Sequence, residues 1–165
     1  MPLILLRVDD RLIHGQVVEG WVRTLSINHL IVASDALVHD EVQQALFALA
    51  VPEGIRVTGQ SLKDAAEFLS GKISESDRIL ALVASPVEAL ALIQFGLKIP
   101  TINVGGVHFR PGKVQLLKSL SVDDTDIQAL QSLLRLGVQL EGRALPMDDP
   151  DNIEAVLSSY AGVKR

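Results

Sequence analysis

A chain of 165 residues with 48% hydrophobic content is long enough to bury a core, and we expect residues 1–165 to form a single domain. Its formal charge of −5 argues against nucleic acid, or an anionic membrane surface, as a bulk electrostatic partner. The sequence contains no cysteine, which excludes disulfide bonds, thiolate catalysis and cysteine-ligated zinc.

Apolar, strand-like segments alternate with helical patterns along the chain. The predicted strands cover residues 2–9, 29–35, 55–59, 78–84, 101–106 and 138–145. The predicted helices cover residues 15–25, 35–51, 62–71, 87–96, 123–136 and 150–162. Residues 107–122 follow neither pattern clearly and are expected to hold one or two short strands.

This alternation predicts right-handed crossovers between parallel strands. We therefore predict an α/β fold: an open three-layer sandwich with a mainly parallel, twisted sheet and helices on both faces. The irregular segment after residue 106 suggests an antiparallel edge strand near the C-terminus. In the helix predicted over residues 35–51, the apolar face is expected to hold Leu37, Val42, Leu46 and Leu49.

The segment "RVDDRLIHGQV" follows the first apolar run and concentrates charge where a core needs none. In open α/β sheets, ligands bind beyond the carboxyl ends of the strands, where strand order reverses. Residues 9–14 are expected to form the loop at that end of a central first strand. The next helix points its N–H groups and its positive dipole end back at this loop. We therefore expect an anion site here.

The residue types in this loop suit phosphoryl chemistry. The imidazole of His14 can act as a nucleophile, and Arg11 and Arg7 can offer fork-shaped donors to a phosphate. Either Asp9 or Asp10 can orient the histidine, or can simply pair with an arginine. A solvated ion-pair patch on an ordinary loop remains the alternative interpretation.

The same segment resembles the hallmark of a known family: the IIB component of the mannose/fructose/sorbose family of the bacterial phosphoenolpyruvate-dependent sugar phosphotransferase system (PTS). Three later segments resemble the family in the same order, namely "INHLIVASD", "INVGGVHFRPGK" and "SVDD". The resemblance covers essentially the whole chain.

The resemblance implies a function in sugar uptake. His14 would accept a phosphoryl group on its δ nitrogen from a phosphohistidine of the IIA protein. It would pass the group to a sugar carried by the IIC and IID membrane proteins. Arg11 is the expected phosphate partner, and Asp10 is a candidate orienting group. No metal and no organic cofactor are expected, and the donor is expected to be met in trans.

Other residues at the same end of the predicted sheet are candidate contacts for the phosphate or a partner. Many family members have a polar residue followed by Asn directly before the proline, where this chain has Ser85. The hydroxyl of Ser85 can replace the polar contact that is lost with the Asn. The glycines after the fifth strand serve either a close approach or a tight turn. The full set of candidate contacts is Arg7, Asp9, Gly15, Gln16, Ser85, Asn103, Gly105 and Gly106.

Two alternatives compete with sugar transport. A nucleotide-binding enzyme is disfavoured because the first strand-to-helix turn lacks both G-x-G-x-x-G and G-x-x-x-x-G-K-[ST]. A regulatory IIB-like protein without transport remains open, and the sugar is not specified. The chain lacks a signal peptide and a membrane span, so we expect a cytoplasmic protein that associates peripherally with the transporter. An apolar surface around Trp21 or the late strands is a candidate contact for a homodimer.

Overall fold

A seven-stranded sheet organises the computed structural model, which describes residues 2–164. The strands are β1 Leu3–Asp9, β2 His29–Ala33, β3 Arg56–Gln60, β4 Ile79–Val83, β5 Thr101–Gly106, β6 Val114–Leu117, β7 Leu120–Val122, β8 Gln139–Gly142 and β9 Asp151–Asn152. The helices are α1 Glu41–Leu49, α2 Leu62–Ser70, α3 Pro86–Gln94, α4 Asp124–Arg135 and α5 Ile153–Lys164, and a π-helix spans Val17–Val22. The large sheet has the order β3-β2-β4-β1-β5-β8-β9.

The first strand is central, as predicted. It pairs in parallel with β4 on one side and β5 on the other, so that Arg7 lies opposite both Leu82 and Asn103. The pairs β2–β3, β2–β4 and β5–β8 are also parallel. Only the short β9 runs antiparallel in this sheet, at its edge, which confirms the predicted antiparallel edge strand among the described residues.

The helices divide between the two faces of the sheet and make three layers. The π-helix and α1 pack on one face, where Trp21 and Phe47 share a core with Leu80 of β4. Helices α2 to α5 pack on the other face, around a core that includes Leu92 and Leu130. The chain therefore leaves β1 toward one face and leaves β4 and β5 toward the other. This reversal is where an open α/β sheet forms its crevice.

The first predicted helix forms, but its central turns are π-helical. Five apolar residues at helical spacing support the prediction, and four of them are buried: Val17, Val18, Trp21 and Val22. The fifth, Leu25, is partly buried against the same core. The indole of Trp21 is only 2% exposed, and its Nε1–H donates to the carbonyl of Ala144 at 2.8 Å. Trp21 therefore does not form an apolar dimer surface, because its side chain is buried in the core of the monomer. The alternative dimer contact, at the late strands, stays a prediction.

Helix α1 differs from the sequence prediction in its start and in its buried face. Asp40 caps it by accepting from the backbone N–H of Gln43, so the helix begins at Glu41 and residues 35–39 form turns. Phe47 is its buried residue. The predicted apolar positions on the helix are exposed, at 73% for Val42, 54% for Leu46 and 83% for Leu49. Val42, Leu46 and Leu49 do recur at helical spacing, but their side chains face solvent.

Residues 107–122 hold two short strands, at the upper limit of the sequence prediction. Strands β6 and β7 pair antiparallel in a separate small sheet outside the large one. The last helix begins at Ile153, three residues later than predicted, because Asp151 and Asn152 pair with β8 instead. Within residues 2–164, no helix is both long enough and apolar enough to cross a bilayer.

The burial pattern of α1 leads to a direct test with two neighbouring residues. Phe47→Ala should lower the free energy of unfolding by about 3 kcal/mol, since it leaves a cavity in the core. Leu46→Ala should change it by no more than about 0.5 kcal/mol, since that side chain is mostly in solvent. Urea unfolding of both variants measures the difference. A larger loss for Leu46→Ala than for Phe47→Ala would contradict the packing described here.

Candidate functional site

The loop after β1 is a tight, anchored turn. The backbone N–H of Leu12 donates to the carbonyl of Asp9 at 2.9 Å, and Leu12 itself adopts a left-handed φ of 59°. That conformation costs a non-glycine residue roughly 1–2 kcal/mol. The side chains of Leu12 and Ile13 are buried in the core beneath the loop, which offsets this cost. His14 follows directly, and the helix starts at Gly15.

His14 is held by the carboxylate of Asp9. The ring Nε2 lies 2.8 Å from Oδ2 of Asp9, whose side chain is only 2% exposed. The other oxygen of Asp9 accepts from the backbone N–H of Arg11 at 3.1 Å. Because an ionised carboxylate can only accept, the ring donates from Nε2, and in the neutral ring Nδ1 therefore carries the lone pair.

Arg7 does not reach the surface of this site. Its side chain is 1% exposed, and it donates from Nε and Nη2 to Asp9, at 3.3 and 3.0 Å. Its Nη1 donates to Oδ1 of Asn103 at 2.6 Å and to the carbonyl of Arg143 at 3.0 Å. The guanidinium also lies 5.2 Å from the ring centre of Trp21. The prediction that Arg7 contacts phosphate is therefore wrong, because its donors are used inside the protein.

Asn103 and Gly105 support this buried arginine rather than the outer loop. A Cβ atom at Gly105 would overlap the guanidinium of Arg7, so the position requires glycine for space. Asn103 is fully buried, and its amide also donates to Glu141 and to the carbonyl of Arg143. Gly106 accepts from the backbone N–H of Asp10 at 2.9 Å and so fixes the loop to β5.

Burial and charge act against each other at the Arg7–Asp9 pair. Burial raises the pKa of Asp9, but the hydrogen bond with His14 and the charge of Arg7 outweigh it, so this pKa lies below its usual value. Burial lowers the pKa of Arg7 from its ordinary value, although Asp9 opposes the change. Asp9 is therefore ionised at neutral pH and accepts from both neighbours.

Arg11, Gly15 and Gln16 form the exposed part of the loop. The guanidinium of Arg11 reaches the side-chain oxygen of Gln16 at 3.3 Å, in an exposed contact. A side chain at Gly15 would meet nothing within 4 Å. The structure therefore gives Arg11, three residues before His14, a solvent-accessible donor fork that no strong contact among the described residues holds in place.

Asp10 is not the residue that orients His14. Its Oδ2 accepts from the backbone N–H of His108 at 2.8 Å, and its Oδ1 lies 2.5 Å from Nδ1 of the same residue. Strand β1 ends at Asp9 and Asp10 begins the turn, and the two carboxylates have different partners. The orienting role proposed for Asp10 belongs to Asp9.

Ser85 caps α3 and is not brought to the histidine loop by any described contact. Its hydroxyl accepts from the backbone N–H of Glu88 at 3.2 Å, while Glu88 accepts from the N–H of Ala84. Burial raises the pKa of Glu88 above its ordinary value. The structure therefore gives Ser85 the role of N-cap of α3.

An open cleft of about 760 Å³ lies beside the loop. Asp9, Arg11 and Gln16 line one wall, and residues after β5 and β8 line the rest. Sequence reasoning missed one residue of this region, Arg143. The carbonyl of Arg143 accepts a hydrogen bond from Arg7, and the guanidinium of Arg143 lies 5.4 Å from the ring centre of Trp21. The described residues contain no group of three His, Cys, Asp or Glu side chains that could hold a metal ion.

Comparisons with known proteins agree with this fold. The chain matches the family described as PTS system sorbose subfamily IIB component over residues 3–164. It is 37% identical over 153 residues to the sorbose-specific EIIB component of Klebsiella pneumoniae, with 93% of each chain covered. It is 33% identical over 157 residues to the fructose-specific EIIB component of Bacillus subtilis (strain 168), with 95% of this chain and 96% of the relative covered.

A solved structure extends the similarity to three dimensions. The IIBSor domain of the sorbose permease from Klebsiella pneumoniae matches with a TM-score of 0.88 and 36% identity, covering 96% of this chain and 98% of that chain. Fold and sequence together define a phosphotransferase component of a sugar PTS, which works with other components of that system. The chain belongs to the sorbose subfamily of IIB components, as the sequence resemblance predicts.

The space around Arg7 can be tested at Gly105. Gly105→Ala should lower the free energy of unfolding by about 3 kcal/mol, because the new methyl group displaces a buried, hydrogen-bonded charge. Gly15→Ala is the matched control, since its Cβ meets nothing and alanine favours a helix. Chemical unfolding of both variants measures their free energies of unfolding. Equal stability of Gly105→Ala and the wild type would show that Arg7 is not held as described.

The lowered pKa of Asp9 predicts a specific dependence of stability on pH. A carboxyl group with a lowered folded pKa stabilises the protein above its unfolded pKa of about 3.9, and this contribution is lost as the pH falls through the folded value. Asp9→Asn should therefore be less stable than the wild type by about 3 kcal/mol at pH 7. The difference in the free energy of unfolding between the variant and the wild type should decrease below about pH 4. Unfolding measured from pH 7 to pH 2 tests this, and a gap that stays constant or widens in acid would refute it.

Proposed function

We propose that this protein carries a phosphoryl group on Nδ1 of His14 during sugar uptake. In this proposal the donor is a phosphohistidine of a IIA protein, met in trans. The acceptor is a hexose-type sugar presented by IIC and IID membrane components, so the chain works in the cytoplasm at the membrane surface. The relatives named for sorbose and fructose support this class of sugar.

The hydrogen bond between Asp9 and His14 carries this proposal. It fixes the ring so that the lone pair of Nδ1 is the nucleophile. In the first transfer, Nδ1 attacks phosphorus, a new N–P bond forms, and the N–P bond of the donor breaks. His14 keeps its Nε2 proton and becomes a phosphorylated imidazolium, which the ionised carboxylate of Asp9 stabilises. The donor ring leaves as a neutral imidazole that keeps its own proton. This step therefore neither takes up nor releases a proton.

The charge of the phosphoryl group is matched by two features of the loop. Among the described residues, the exposed guanidinium of Arg11 has a hydrogen bond to Gln16 alone, so its fork can turn to phosphate oxygens with little loss. The helix that begins at Gly15 adds backbone N–H groups and the positive end of its dipole. Arg7 contributes indirectly, because it keeps Asp9 ionised and fixed beneath His14.

Phosphorylation from phosphoenolpyruvate and the upstream carrier proteins tests the proposal. The wild type should acquire acid-labile phosphate, and His14→Ala should acquire none. Arg11→Lys should label more slowly by about tenfold or more, because a charge-assisted hydrogen bond is worth roughly 1.5–3 kcal/mol and a point charge lacks the fork.

His39→Ala is the matched control, since His39 is exposed on a turn before α1. It should label as the wild type does, and circular dichroism should confirm that all variants are folded. Equal labelling of His14→Ala and the wild type would refute the role of His14. A wild-type rate in Arg11→Lys would remove Arg11 from the mechanism.

A further inference from the structure

A second imidazole–carboxylate pair lies beside the first. Both oxygens of Asp10 are used on one residue: Oδ2 accepts from the backbone N–H of His108, and Oδ1 pairs with its ring Nδ1. Asp10 is largely buried, with 11% of its side chain exposed, whereas the side chain of His108 is 53% exposed. The carboxylate is therefore fixed, and it presents an imidazole to solvent.

This second pair faces the same cleft as the histidine loop. His108 lines the cleft together with Asp9, Arg11 and Gln16. The strand register explains the proximity, since Asp9 lies opposite Gly106 and His108 follows two residues later. Asp9 and Asp10, which are neighbours at the end of β1, thus each hold one imidazole, and His108 shares the cleft with Asp9 and Arg11.

The two rings are held through opposite nitrogens. Asp9 holds Nε2 of His14, which leaves Nδ1 as the nucleophile, and Asp10 holds Nδ1 of His108, which leaves Nε2. Because the Asp10 carboxylate accepts, Nδ1 of His108 is the donor and Nε2 carries a lone pair in the neutral ring. A neutral imidazole with a carboxylate behind it is the arrangement of a general base.

The proposed reaction has one step that needs a base. Transfer between two imidazoles moves no net proton, but transfer to a sugar hydroxyl releases the hydroxyl proton. Among the described residues that line the cleft, His108 is the one imidazole. The cleft is also lined by the carboxylates of Asp148, Asp149 and Asp151, but a carboxylate, with an ordinary pKa of about 3.9, is a weaker base than an imidazole.

We propose that His108 is the catalytic base for phosphoryl transfer from His14 to the sugar, with Asp10 as its positioning residue. This inference rests on the proposed function. The sugar oxygen bonds to phosphorus while the N–P bond of His14 breaks, and His14 leaves as a neutral imidazole. The hydroxyl proton moves to Nε2 of His108, and the resulting imidazolium is stabilised by Asp10.

The test separates the two transfer steps. Purified wild type, His108→Gln and Asp10→Asn are phosphorylated from phosphoenolpyruvate and the carrier proteins, and the rate of labelling is measured. Membrane vesicles from the source cells are then supplied with sorbose, fructose or mannose, and kcat and KM for sugar phosphate are measured. His108→Gln should lower kcat for the sugar by about 100-fold, the usual size of a general-base contribution, with little change in KM.

Asp10→Asn should lower the same kcat by a smaller factor, because it leaves the base but removes its carboxylate. Labelling of His14 should stay within about twofold of the wild type in both variants. His39→Gln is the matched control and should leave both steps unchanged, as expected for an exposed histidine elsewhere on the surface.

The outcomes distinguish this inference from the proposed function. If the wild type labels on His14 and His108→Gln keeps the wild-type kcat for sugar, His108 is not the base. If His108→Gln slows labelling and sugar transfer by equal factors, His108 supports the loop, and the catalytic role is overturned. If the wild type itself takes no label on His14, the proposed function fails and this inference fails with it.

Discussion

The ion pair between Arg7 and Asp9 is the constraint on which the site depends. A fully buried guanidinium is costly unless its donors are satisfied, and here every partner comes from a fixed element of the sheet or from the loop after β8. Gly105 must leave room for the guanidinium, and the ring of Trp21 lies alongside it. The position of Asp9, and through it that of His14, follows from this packing.

The same carboxylate serves the fold and the proposed chemistry. Apolar residues of similar volume can often replace a buried ion pair without loss of stability, so stability alone does not account for it. An apolar residue at position 9 would leave the ring of His14 and the backbone N–H of Arg11 without their acceptor. Orientation of the histidine is thus the better physical reason for a charge in the core.

Local sequence signals predicted the fold and the position, at the end of β1, of the loop that carries His14. The alternation of strands and helices predicted an open parallel sheet, in which the first strand is commonly central, and its loop lies at the reversal of strand order. The roles of Arg7 and Asp10 could not be predicted, because their partners Asn103, Arg143 and His108 lie about a hundred residues or more away in sequence. Helix α1 shows the other limit: periodicity identifies an apolar face, but it does not reveal whether that face is covered.

The loop combines a rigid part and an adaptable part, and phosphoryl transfer needs both. The two oxygens of Asp9 are held by Arg7, by His14 and by the backbone N–H of Arg11, so the proposed nucleophile has one orientation before a donor would arrive. The guanidinium of Arg11 has only an exposed contact with Gln16, so it can follow the phosphoryl group as it arrives and leaves. If both groups were rigid, the phosphoryl group would be held too firmly to pass on; if both were mobile, the nucleophile would lose its orientation. The buried pair of Arg7 and Asp9 fixes the histidine, and the exposed guanidinium of Arg11 remains free to move.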